Sequence, residues 1–371
     1  VVHDVPEKHP RESGYHEQTP SIHESSLPMA AADNEQNALA FEFLGRQDVR
    51  EVTGPDGSLR HIVNNRGVRL AMYCWPVNNA KAVVHLLHGH GSYLGYEYLK
   101  IKGLGQPPIY EGSWVQSLNN AGYSVVGIDN QGAGRSSGLR CFCRKFDEYV
   151  EDVVMSVKLA PQLGIPNLDL SLPRFMMGAS MGGCLSVMCA MREPELIKGV
   201  ALLAPMMSLE KVSKKAQNRI LRPVSMLLNA TVPAAPLVAT AKNHMYEDLQ
   251  IHYDHDHGCY HGGTRVRNAT EYLRVTGWLM RNMHLVNFPF IVFHSENDTM
   301  VDCDGSRALY THASSEDKTL RLVNHMWHIL AKEPGNEKVL AEVTGWFDAH
   351  LEKLALTDSD PDLSGADSDG R

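Results

Sequence analysis

The stretch Arg174-Phe-Met-Met-Gly178-Ala-Ser180-Met-Gly182-Gly183 decides how this 371-residue chain is read. A short apolar run, R-F-M-M, passes directly into Gly-x-Ser-x-Gly, and a helical stretch from Met181 to Arg192 follows. Strand, sharp turn and helix in that order give the pentapeptide its chemical meaning. The turn forces its serine into a strained backbone region, and side chains two residues before and after would crowd the adjoining strand and helix. Ser180 then projects its hydroxyl beside a helix N-terminus, where free N–H groups and the helix dipole favour an oxyanion. The bland alternative for the same residues is a packing turn of small side chains.

Outward from this stretch, short apolar segments alternate with helical ones. Strands are expected at Val68 to Trp75, Ala82 to His88, Tyr123 to Asp129, Arg174 to Ala179, Gly199 to Ala204, Phe290 to Ser295 and Thr319 to Val323. Helices are expected near Ser113 to Ala121, Phe146 to Leu163, Met181 to Arg192 and Asn336 to Leu354. The alternation predicts an α/β class, a mostly parallel sheet with helices on both faces. Residues 41–205 and 288–355 form this core. Between them, 206–287 exceeds any ordinary connection and reads as an inserted cap. Within it, Pro223 to Ala241 carries no charge but is interrupted by three prolines, so a buried part of the cap is expected, with membrane or acyl-chain contact as the alternative. Residues 1–40 read as a disordered arm and 356–371 as a disordered acidic tail.

A serine alcohol needs a base to take its proton, and the base needs a carboxylate to orient it. Downstream of such a turn the acid comes first and the histidine second. The strand F-P-F-I-V-F-H-S runs into Glu296 and Asp298, of which Asp298 is preferred, and T-L-R-L-V-N-H-M-W-H supplies His325 and His328. Two backbone donors are needed for the oxyanion: the N–H of Met181, and the N–H of His90 in the loop His88-Gly-His-Gly91. The His88 ring reads as structural.

Composition excludes several classes. The chain is 43% hydrophobic and 21% charged with a formal net charge of −8, the balance of a globular protein without the clustered cations that nucleic acid requires. Its seven cysteines have no C-x-x-C spacing and read as reduced thiols. The run His252-Y-D-H-D-H-G-C-Y-His261 lacks a clean ligand spacing and reads as a polar loop, so no metal and no cofactor are expected. Asn229, Asn268 and Asn297 each begin N-x-T. A glycan beside Asp298 would disturb a site that must be packed, so the last sequon reads as unused. That favours a cytoplasmic or membrane-associated location, although a chain opening on Val1 leaves a removed leader open.

Taken together, His88-Gly-His-Gly91, Gly127-I-D-N-Q-G-A-G-R-Ser136, Gly178-A-S-M-G-Gly183, Asp298 and His328 resemble, in this order, the monoacylglycerol lipase and lysophospholipase family of α/β-hydrolases, grouped with serine aminopeptidase-like hydrolases. The resemblance spans about Val63 to Leu354, and the E-P-G-N-E-K-V-L run is similar to the lysophospholipase-like branch of apicomplexan parasites. It implies Ser180, Asp298 and His328 as the triad, His328 over His325, with Glu333 following as in the family. It also implies a cap over an acyl channel and a single-chain lipid ester as substrate. Ala133 departs from the pattern, standing where many relatives carry His in G-H-G-x-S. A broader carboxylesterase, thioesterase or peptidase on the same triad is the enzymatic alternative, and a noncatalytic binding protein the alternative outside catalysis.

Overall fold

Eight strands form one sheet in the order β1-β2-β4-β3-β5-β6-β7-β8. They are β1 (Ser58–Val63), β2 (Arg69–Trp75), β3 (Ala82–Leu87), β4 (Tyr123–Ile128), β5 (Arg174–Ala179), β6 (Gly199–Leu203), β7 (Phe290–His294) and β8 (Lys318–Leu322). The structure is a computed structural model and describes residues 31–169, 171–211, 225–237 and 240–359. β1 and β2 join antiparallel, and every pairing from β4 through β3 to β8 is parallel. The seven expected strands lie within one residue of their expected bounds. β1 was not expected, because only Ile62 of its six residues is buried and no apolar run marks it.

The parallel strands are apolar throughout because both their faces are covered. Along β3, Val83 and Leu87 face one core while Ala82, Val84 and Leu86 face the other, and β5, β6 and β7 alternate likewise. One core receives Val150, Val153 and Val157 of the helix Phe146–Leu159 together with Leu185 of the helix Met181–Arg192. On the opposite face lie Trp114 and Leu118 of Trp114–Asn120, and Val339, Val343 and Phe347 of Asn336–Ser359. This is the α/β-hydrolase architecture.

Three expectations are corrected. Residues 31–40 do not form a structureless arm: Ala31–Gly45 is a helix, with Ala40 and Leu44 buried. Its Asp33 pairs at 2.6 Å with Arg265, a residue only 1% exposed, and local composition cannot anticipate so distant an ion pair. Residues 1–30 lie outside the described residues. At the other end the helix Asn336–Ser359 runs into the expected tail, of which 360–371 lie outside the described residues. Finally, in the described part of Pro223 to Ala241, Leu227, Val232 and Leu237 are exposed rather than buried.

The crossover from β6 to β7 contains the helices Ser225–Thr231, Glu247–His255 and Val266–Asn282. The last enters the core through Tyr272, Val275 and Leu279, and Tyr253 of Glu247–His255 packs against a smaller cluster with Tyr93, Tyr96 and Cys259.

Close approach at the β5 turn makes two glycines indispensable. A Cβ on Gly178 would lie 2.2 Å from the Gly182 carbonyl oxygen, and one on Gly182 would lie 2.2 Å from the Leu87 carbonyl oxygen. Both obstacles are backbone. Gly182→Ala is therefore expected to destabilise the protein by at least about 1–3 kcal/mol, the range for overpacking a tight core. Thermal unfolding would show a lower Tm; an unchanged Tm would contradict the packing described.

Candidate active site

Ser180 sits between β5 and the helix Met181–Arg192 with φ 52° and ψ −116°, a strained conformation for any residue with a side chain. Two bonds hold it there. Its N–H donates to the Leu203 carbonyl at 2.9 Å, and its carbonyl accepts from Met206 N–H at 2.9 Å. The serine is thus fixed to the end of β6, and its side chain opens into a cavity of about 300 Å³ that His90, Glu97 and His328 also line.

Asp298 follows β7, and its side chain is fully buried. Its Oδ2 accepts from His328 Nδ1 at 2.6 Å and from His294 Nε2 at 3.1 Å. Its Oδ1 accepts from the backbone N–H groups of Met300 at 2.7 Å and Val301 at 3.1 Å. Burial opposes the charge, yet His328 and His294 hold the carboxyl well below the usual carboxylate range. His328 answers it. Burial would lower the imidazole pKa, but the Asp298 carboxylate, with smaller contributions from Glu333 and Glu97, raises it above 6.5.

The loop carrying His328 is held by a carboxylate of its own. Glu333, with no exposed surface, accepts from the backbone N–H groups of Trp327 at 2.6 Å, His328 at 3.0 Å and Ile329 at 2.8 Å. The two residues left open by the chain pattern lie elsewhere. Glu296 is exposed and pairs with Arg307 and Asn324, and His325 is exposed, with its carbonyl accepting from the Tyr246 hydroxyl.

Met181 follows Ser180 at the helix start, and His90, in the loop after β3, lines the same cavity as the serine. The backbone N–H of neither residue donates a hydrogen bond to another described residue. Two backbone donors without a protein acceptor beside a serine turn suit an incoming oxygen. The His88 ring is structural: its Nδ1 donates to Gly89 O at 2.9 Å, and its Nε2 accepts from Asn130 N–H at 3.0 Å. Beneath that loop, fully buried Asp129 accepts from the Tyr73 hydroxyl at 2.8 Å, Leu94 N–H at 3.0 Å and Arg135 N–H at 2.9 Å. Within the G-A-G-R-S turn Arg135 N–H holds the Asp129 carboxylate and the Ser136 hydroxyl donates to the Asp129 carbonyl at 2.6 Å, and neither bond involves the Ala133 side chain.

Other expected features find their places. All seven cysteines are free and buried. In the His252–His261 run, Asp256 accepts from the Tyr93 hydroxyl at 3.0 Å and Gly258 N–H at 2.8 Å, and the His261 ring bonds the Asp256 carbonyl at 3.0 Å. Asn297 is exposed, so the packing argument against its sequon fails; the buried sequon is Asn268, with both ends of its amide bonded. His294 was missed in the sequence. Its neighbourhood was read for carboxylates, and only the fold shows that a residue at the end of β7 points back at Asp298.

Residues 78–335 match the family described as Serine aminopeptidase, S33, and the chain belongs to that family. Among characterised relatives, the monoacylglycerol lipase of Mycolicibacterium smegmatis is 26% identical over 77% of this chain and 95% of its own length. The monoglyceride lipase of Rattus norvegicus is 27% identical over 79% of this chain and 91% of its own. In structure the chain is similar to the monoacylglycerol lipase of Paleococcus ferrophilus, with a TM-score of 0.61 at 19% identity, covering 76% of this chain and 99% of that one.

The histidine couplings have signs that titration can read. Asp298→Asn removes the charge that raises the His328 pKa, so the imidazole midpoint should fall. His294→Phe removes a donor that competes for Oδ2, so the midpoint should rise further above 6.5. NMR titration of the His328 ring checks both; shifts in the same direction would refute the shared-acceptor arrangement.

Proposed function

We propose that the protein is a serine hydrolase cleaving carboxylic esters of single-chain lipids, monoacylglycerols or lysophospholipids. Ser180 is the nucleophile, His328 the base and Asp298 the acid that holds the imidazole in its productive tautomer. His328 takes the Ser180 proton as the oxygen attacks the acyl carbonyl, and the N–H groups of His90 and Met181 receive the oxyanion. Returning the proton to the alkoxide leaving group frees the alcohol and leaves an acyl-serine. Water, deprotonated by the same imidazole, then releases the fatty acid.

The observation that carries the reading is the His328–Asp298 bond of 2.6 Å, whose imidazole opens with Ser180 into one cavity. Family membership and the lipase relatives support the substrate class. The excursion 206–287 is read as the cap, since Lys242, Tyr253 and Tyr260 from it line that cavity. Its exposed Leu227, Val232 and Leu237 support peripheral contact with a lipid surface. No helix among the described residues is long and apolar enough to cross a membrane.

Fatty-acid release from a panel of monoacylglycerols, lysophosphatidylcholine and short p-nitrophenyl esters tests the proposal. The wild type should prefer the long-chain substrates, and Ser180→Ala should lose about 10⁵- to 10⁶-fold in kcat with its thermal unfolding intact. Hydrolysis retained by that variant would sink the triad. A preference for the short esters would replace lipase by general esterase.

A further inference from the structure

We propose that Tyr272 is a positioning residue for the oxyanion hole, its hydroxyl clamping the side chains of both residues whose backbone N–H groups face the developing charge. The inference rests on the roles given above to His90 and Met181. These residues come from separate parts of the chain, the loop after β3 and the start of the helix after β5. Tyr272 belongs to a third element, the helix Val266–Asn282, and is 4% exposed. Its hydroxyl lies 2.9 Å from His90 Nδ1 and 3.1 Å from Met181 Sδ. The ring meets His90 edge-on at 5.4 Å and Phe146 at 6.0 Å, so it has little freedom to turn.

The Asn268 amide anchors the hydroxyl from the other side. Asn268 Oδ1 accepts from Cys143 N–H at 3.0 Å, and its Nδ2 donates to Cys141 O at 3.1 Å. That settles the amide orientation, and the remaining Nδ2 proton donates to the Tyr272 oxygen at 3.2 Å. Burial pushes the His90 ring down to about 4, so it is neutral and carries one proton. Its Nδ1 bonds the Tyr272 hydroxyl and its Nε2 lies 3.3 Å from the Thr264 hydroxyl, so the one ring proton serves either contact and the hydroxyl at the other nitrogen donates. With the proton on Nδ1 both lone pairs of the phenol oxygen are occupied and its own proton goes to the Met181 sulfur; with it on Nε2 the phenol proton goes to His90, and the sulfur keeps its 3.1 Å contact. Cys141 Sγ, 3.3 Å from His90 Nδ1, is the weaker competing acceptor, its thiol pushed up to about 11 by burial and therefore protonated. A single hydroxyl thus joins both oxyanion residues to a core helix in either tautomer.

Such a clamp acts on the transition state, since the ground-state carbonyl makes weaker bonds to the same donors. Tyr272→Phe keeps the ring and removes the hydroxyl. It is expected to lower kcat about 10- to 100-fold, with KM changed less than about twofold. Affinity for an alkylboronic acid, whose tetrahedral adduct on Ser180 places an oxygen in the hole, should fall by the same factor. A role confined to packing would lower Tm and leave kcat and boronate affinity alone, and that result overturns the inference. Met181→Leu, which keeps the N–H and the bulk but removes the sulfur, should reduce kcat in the wild type and have no further effect in Tyr272→Phe. Fully multiplicative losses would also overturn it. A wild-type protein that binds no boronic acid would overturn the oxyanion assignment itself, a failure distinct from equal binding by wild type and Tyr272→Phe.

Discussion

The backbone of Ser180, held at positive φ, is the constraint on which the rest of the site depends. A residue in that region stores about 1–3 kcal/mol of strain and persists only where its surroundings over-determine it. Here the determinants are the bonds to Leu203 and Met206 and the contact of strand and helix across Gly178 and Gly182. These in turn require β5 and β6 to be central strands with both faces buried. Ser180 is therefore anchored to the middle of the sheet, and the loops that meet it, after β3, β7 and β8, all leave the same carboxyl edge of the parallel strands.

Around this fixed point the buried charges are arranged in short closed sets. Asp298 is shared by two imidazoles and two backbone N–H groups, so it stays ionised in an environment that alone would neutralise it. His294 relays the set outward to the Ser306 hydroxyl at 2.7 Å, which belongs to the helix Cys303–His312. Glu333 performs the same service for the backbone of the His328 loop. One carboxylate tunes the imidazole, and the other places it.

Much of this was legible in the sequence, and the parts that were not share a cause. β5 and the helix Met181–Arg192 were readable to the residue, because apolar periodicity and glycine placement are local. Edge strand β1 was not, since it buries one side chain and is held by backbone bonds to β2. The helix Ala31–Gly45 was hidden because its anchor, Asp33 to Arg265, joins residues that only the fold brings together. Among candidate site residues, Asp298 and His328 could be placed in their segments, while the choice over His325 needed the family resemblance. His294 and Tyr272 carried no local signal, because a histidine ending a strand and a tyrosine on an amphipathic helix both read as core. Second-layer polar contacts are tertiary facts, and chain spacing does not encode them.

We propose that this turn presents an activated serine. Treatment of the full chain with a fluorophosphonate, followed by intact-mass measurement and peptide mapping, tests it most directly. A single stoichiometric adduct on Ser180 is expected, slowed strongly in Asp298→Asn by loss of the correct imidazole tautomer. An adduct on another residue, or none under conditions where the protein is folded, would contradict it.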